Sequence, residues 1–214
     1  MPDERYPGYN VLAKRNTPSW NERTRRAIDK RLALPREPRF FMAEEYATIE
    51  ALAARITPSQ PGGPSVPVAA LIDNKLHEGH MDGFRQAGMS RDGDAWREGL
   101  RALDAEARRA YGACFRQLCA GEQDHLLRKM QEDDLHDPSW GAMSPKTFFK
   151  NRMASDIVFA YFSWPGAWSA IGFGGPASPR GYVRMGFDER DPWEAAEVKN
   201  GDGAAARRKN LRVG

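Results

Sequence analysis

Four histidines and two cysteines are the first residues of this 214-residue chain to test for chemistry. His77-Glu78-Gly79-His80 sets two imidazoles three positions apart with a carboxylate between them, a pair that could ligate zinc if one helix face carried both rings. Zinc peptidases use a longer spacing on an uninterrupted helix, so an exposed polar helix end is expected and a His77/His80 metal site is the alternative. His125 beside Asp124 and His136 beside Asp137 read as surface residues. Cys114 and Cys119 have neither the spacing of a redox pair nor that of a zinc site, and read as small buried hydrophobes. Gly172-Phe173-Gly174-Gly175 lacks the following helix that a phosphate cradle needs, because Pro176 and Pro179 come next. There is no Gly-x-Ser-x-Gly elbow, and the carboxylates show no isolated pair in an apolar setting. No catalytic, cofactor-binding or metal-binding set is therefore expected. The candidate functional residues are instead aromatic and arginine side chains of the types that dominate protein interfaces: Tyr6, Tyr9 and Trp20 near the start, and Trp164, Trp168, Phe173, Arg180 and Tyr182 near the end.

The elements that would carry them are helical throughout. Residues 1–38 read as an arm broken by Pro2, Pro7, Pro18, Pro35 and Pro38. Within it Asn21 to Leu32 can form a helix started by Thr17-Pro18-Ser19, with a narrow stripe of Trp20, Thr24, Ala27, Ile28 and Leu32 that needs another surface. The body, residues 39–163, opens with a helix whose apolar face is Phe41, Tyr46, Ile49, Leu52, Ala53 and Ile56, stopped by Thr57-Pro58. Pro67 starts a second helix with Val68, Leu71, Ile72 and Leu76. From Asp94 a third helix presents Trp96, Leu100 and Leu103, and a fourth presents Tyr111, Phe115 and Leu118, with Asp104 as a possible start between them. Gly121 is expected to mark a turn before a helix carrying Leu126, Leu127 and Met130. Ser144-Pro145 caps a last helix with Phe148, Phe149, Met153, Ile157, Ala160 and Tyr161 on its apolar side. From Trp164 to Tyr182 glycine and proline are dense enough that neither helix nor strand is expected, and residues 164–214 read as an aromatic loop and extended tail. No segment alternates with period two, so the fold class is all-α: an irregular helical bundle with an N-terminal arm and a Gly/Pro/aromatic-rich C-terminal region.

Charge and hydropathy exclude other classes. The longest fully apolar run, Ile157 to Phe162, is six residues, whereas a membrane span needs about 20. Met1 to Arg39 is polar almost throughout, so no export signal is expected there. The chain's net charge is +3, but residues 1–38 carry +4 and residues 203–214 another +4, leaving the middle at −5. Nucleic-acid binding needs a basic face on a folded body. With the positive charge at the two ends, no nucleic-acid partner is expected, and Arg207-Arg208-Lys209 reads as a solvated end.

One ordered series of residues carries more information than any of these alone. It runs from Phe40-Phe41 with Glu45, through Ile56-Thr57-Pro58, Pro61-Gly62, Ile72-Asp73 with Leu76, and Gly99-Leu100 with Leu103-Asp104. It continues through Gly112, Phe115 and Leu118 to Phe148-Phe149, Trp164, Trp168 and Ile171-Gly172-Phe173-Gly174-Gly175-Pro176. Over roughly residues 40–176 the chain resembles the gluconate 2-dehydrogenase subunit 3 family. The resemblance implies an all-helical, non-catalytic small subunit that helps mature a large flavoprotein of the glucose–methanol–choline class. The partner would hold FAD and oxidise the sugar, and in several such complexes a cytochrome takes the electrons onward. A periplasmic location is implied too, often through a twin-arginine signal. Here Arg25-Arg26 has no apolar stretch behind it, which leaves the cytoplasm open. Long forms resembling this one partner enzymes that oxidise the 3-hydroxyl of glucosides. The alternative class is a free-standing helical binding module.

Overall fold

Every regular element among the described residues is a helix, and none is a strand. The computed structural model describes residues 5–58, 65–83, 86–177, 181, 186 and 190–213. They divide into two compact units, one of Pro35–Gln60 with Pro67–Tyr161, the other of Met1–Leu34, Pro61–Val66 and Phe162–Gly214.

The first of these units is built on α2 (Ala43–Ile56), α3 (Val68–His77), α4 (Asp92–Tyr111) and α5 (Ala120–Glu132). It ends in α6 (Pro145–Phe148), a π-helical turn (Phe149–Met153) and α7 (Ala154–Ser163), which follow one another without a break, α7 belonging to this unit as far as Tyr161. The expected apolar faces do pack inward: Ile49, Leu52, Ile72, Trp96, Leu103, Leu126, Met130, Phe148 and Met153 are all buried. Phe40, Phe41, Trp96, Phe148 and Trp140 form a chain of ring contacts with centroids 4.9, 6.2, 5.8 and 6.0 Å apart, each adding about 0.5–1.5 kcal/mol beyond its buried area. The entry to α2 is fixed by the buried Asp73 carboxylate, which accepts the backbone N–H groups of Arg39, Phe40 and Phe41 at 2.8, 3.0 and 2.9 Å. Ser144 caps α6 as expected, accepting the Thr147 N–H at 3.2 Å with Pro145 in the first turn.

Three expectations for this unit are corrected. The third and fourth helices are a single 20-residue α4, ended by Gly112 in the left-handed conformation at φ 76°. Phe115 lies instead in a short 3-10 turn, Phe115–Gln117. Asp104 starts no helix: it sits inside α4 and its carboxylate accepts the Phe115 N–H at 2.9 Å, tying the turn back to the helix. Gly121 is likewise inside α5, whose first turn closes where Glu122 accepts the Cys119 N–H at 2.9 Å.

The other unit joins the two ends of the chain. Its elements are a 3-10 turn (Val11–Asn16), α1 (Glu22–Leu32), α8 (Pro165–Ala170) and α9 (Gly203–Asn210). Tyr9, Val11, Trp20, Ile28, Trp168 and Val213 form its core, with Tyr6, Leu12, Leu32 and Ala195 packed against it. The surface that the α1 stripe needed is therefore the C-terminal segment. Asn21, not Thr17 or Ser19, caps α1 by accepting the Thr24 N–H at 2.9 Å, and Ala27 faces solvent. Trp164 to Tyr182 is not all loop, because α8 forms despite Gly166; Pro165 at its first position has no N–H to leave unsatisfied. The tail also folds. In α9 the buried Asn210 donates to the carbonyls of Pro7 and Ala196 at 3.0 and 2.9 Å and accepts the Ala196 N–H at 2.6 Å, while Val198 N–H reaches Arg5 O at 3.0 Å. The positive charge of the two ends thus belongs to one folded unit, which holds sixteen Lys/Arg against ten Asp/Glu.

Candidate partner interface

The residues expected to contact a partner fall into two groups. Trp20 is 1 % exposed, and Tyr9, Trp164 and Trp168 are buried as well, so these rings serve the chain's own packing. Trp168 donates its indole N–H to Phe162 O at 2.6 Å, and Val11 N–H is accepted by Ser169 Oγ at 3.1 Å. Tyr9 Oη donates to Phe173 O at 3.4 Å, and the buried Lys14 ammonium donates to Gly174 O at 3.1 Å. Tyr6 and Phe173 are brought to the surface of this unit, Phe173 at 40 % exposure and edge-on to Trp168 at 5.4 Å. Arg180 and Tyr182 lie outside the described residues.

The glycine-rich stretch is accounted for by these rings. A Cβ on Gly172, at φ 68°, would lie 2.5 Å from Tyr6 Cζ, and one on Gly175 would lie 3.1 Å from Trp20 Cζ2. The space that a phosphate would need at Gly172 is filled by tyrosine. Beside it lies an open cleft of about 380 Å³ lined by Tyr6, Lys14, Phe173, Trp193, Glu194 and Glu197. Its charges are largely committed to neighbours: Glu197 to Arg5 at 2.7 Å, and Lys14 to the Gly174 carbonyl.

In the other unit, a cluster of buried charge lies where no sequence pattern announced it. Arg152, in the π-helical turn, is buried among carboxylates. It reaches Asp82 at 2.8 Å, Asp92 at 2.7 Å and Asp156 at 3.2 Å. Lys75 adds contacts to Asp82 at 2.7 Å and Asp156 at 3.0 Å, and the Trp96 indole N–H donates to Asp156 at 2.8 Å. Burial opposes the charge on Lys75 and Arg152, but Asp82 and Asp156 at Lys75, and all three carboxylates at Arg152, outweigh it and raise both above their ordinary values. The arrangement ties α3, α4, the π-helical turn and α7 together. Each of the three acids touches at least one of the two cations, which suits a structural clasp better than a proton-transferring pair.

Outside that clasp, α7 presents Val158, Phe159 and Phe162 to solvent at 42, 73 and 40 %. Sequence reasoning missed them, although a signal was there. Six consecutive apolar residues, Ile157 to Phe162, span more than a full helical turn, so a helix through them must expose some.

The histidine pair does not converge. His77 is the last residue of α3 and His80 lies beyond it, both exposed, with His80 3.5 Å from Glu78. Among the described residues no group of three or more His, Cys, Asp or Glu could hold a metal ion. Cys114 is buried as expected, but Cys119 is exposed, because it precedes the first turn of α5. Among the described residues no helix is long and apolar enough to cross a membrane.

A family model described as gluconate 2-dehydrogenase subunit 3 matches residues 43–175. The chain belongs to that family. No curated protein and no solved structure matches it. The subunit-3 match takes in the whole Arg152 clasp, the α7 face, α8 and the glycine-rich stretch. Tyr6, Tyr9, Trp20 and α9 fall outside it, so this family member builds the core of its end-joining unit mostly from residues beyond the matched segment, Trp168 being the one of the six core residues inside it. The family name is that of a subunit of a dehydrogenase complex, and the role it denotes is accessory.

Proposed function

We propose that this chain is the non-catalytic small subunit of an FAD-dependent sugar dehydrogenase. It binds, stabilises and helps mature a large flavoprotein of the glucose–methanol–choline class, which carries the FAD and the sugar chemistry. Membership of the subunit-3 family carries this reading. The substrate class is a glucoside oxidised at its 3-hydroxyl, and the electrons leave the flavoprotein for a cytochrome-type acceptor. The exposed Phe173 supports a contact role: it and the half-buried Tyr6 belong to the contact surface, with Trp168 packed edge-on against Phe173.

The test is co-purification of the tagged chain from its native cells, followed by an absorbance spectrum from the near-ultraviolet into the visible. A large co-purifying protein with a flavin spectrum, and sugar oxidation by the eluate, is the expected result. A flavoprotein that is equally soluble, flavinated and active without this chain would sink the proposal. A colourless chain eluting alone would favour the free-standing binding module.

A further inference from the structure

Helix α7 is apolar on both sides: Ile157, Ala160 and Tyr161 are buried, and apolar side chains face solvent as well. Its one carboxylate, Asp156, points into the buried clasp with Arg152 and Lys75, while Val158, Phe159 and Phe162 stand in solvent. No other residue of Ala154–Ser163 is acidic or basic, so its outer face shows no charge. Surface helices normally carry their charge on the outer face, and charge depletion with exposed aromatics marks the centre of an interface.

The orientation is imposed by two features. The π-helical turn Phe149–Met153 carries an extra residue, which rotates everything after it by about 100° relative to an unbroken helix. The Arg152–Asp156 contact at 3.2 Å and the Trp96–Asp156 hydrogen bond at 2.8 Å then fix α7 in that rotation. Turning the phenylalanines inward would move Asp156 away from its cations.

We infer that the Val158–Phe159 face of α7 is a further surface on which the catalytic subunit of the dehydrogenase docks, an inference that rests on the function proposed above. Two observations choose this occupant over a second copy of the chain. The face lies inside the segment matched to a family of dehydrogenase subunits. It is also small: Phe159 at 73 % and Val158 at 42 % exposure offer roughly 200 Å² together. Two copies paired on it would bury roughly 400 Å², about a third of the roughly 1,200 Å² that a stable interface needs. A larger partner with a receiving pocket can enclose Phe159 as a central anchor and add contact around it.

The test compares the wild-type chain with Phe159→Asp and Phe159→Leu, each tagged and co-expressed with the flavoprotein recovered by co-purification. Phe159 is largely exposed, so equal helicity and melting temperature are expected for all three. Phe159→Asp should capture about tenfold less flavin per chain, and Phe159→Leu should retain most of it. Equal capture by wild type and Phe159→Asp overturns the docking surface while the function stands. Flavin captured by neither overturns both. A wild-type dimer that Phe159→Asp dissociates, with flavin capture unchanged, assigns the face to self-association and overturns the inference.

Discussion

At Gly99 the space for a side chain is already taken: a Cβ there would collide with the Phe148 ring, which closes the aromatic chain of the α4 unit. Gly99→Ala should therefore cost about 1–3 kcal/mol through overpacking, read as a lower urea midpoint. Gly172→Ala adds left-handed strain to a collision with Tyr6 and should cost at least as much, whereas Gly112→Ala, at φ 76° with nothing within 4 Å, should show the strain of about 1–2 kcal/mol alone. Asp82 gives a pH dependence. Burial would raise its pKa, but the hydrogen bond from Lys75 and the charges of Lys75 and Arg152 outweigh burial and hold it below the usual carboxylate range. A group whose folded pKa is depressed contributes stability that is complete above the unfolded value, about pH 4, and is lost as pH falls through the folded one. Acid titration should show that loss, and Asp82→Asn should be less stable at neutral pH with a flatter curve below pH 4. The individual roles of these residues were unevenly legible in the sequence. Ser144 and Pro145 announce a cap by type, whereas Gly112 stood inside an expected helix, and Gly99 and Asp82 act through neighbours 49 and 70 residues away that no local pattern names.

Periodicity settles the helices where one face is buried and fails where a polar residue does a distant job. Asp104 resembles a helix start because aspartate favours caps, yet its bond to Phe115 N–H is made from within α4. The α8 segment resembles loop because of its glycines, and is helical because Trp168 and Ala167 are drawn into packing that composition cannot anticipate. Burial of Arg152 was the least legible feature, since an arginine between Asn151 and Met153 looks like any exposed cation. Arg152→Ala should be strongly destabilising, by about 3–5 kcal/mol, because it leaves Asp92 and Asp156 buried with less compensation. The same change at the exposed Arg128 should stay within about 0.5 kcal/mol. Thermal denaturation followed by far-ultraviolet circular dichroism separates the two.

On the scale of the whole chain, the sequence showed two basic ends, and the fold brings them into one unit. Asn210 is the joint: it bonds Pro7 and Ala196 from inside α9. Asn210→Ala strands buried polar groups at a cost of about 1–3 kcal/mol. Limited proteolysis should then cut the segment around Arg15–Arg31 faster, by about tenfold for each 1.4 kcal/mol lost. That the ends would meet was not legible, because Tyr9, Trp20 and Val213 are separated by most of the chain and show no shared pattern. The family-matched segment 43–175 lacks Val11, Trp20, Ile28 and Val213 and so cannot close the core around Trp168. The same closure sets a schedule for the ribosome. At roughly 5–20 residues per second, about 10–40 s separate the synthesis of Trp20 from that of Val213. The α2–α7 unit has all its residues well before then, but for that interval Tyr9, Val11 and Trp20 wait without their covering, so a nascent chain needs a holding chaperone more than the finished one does.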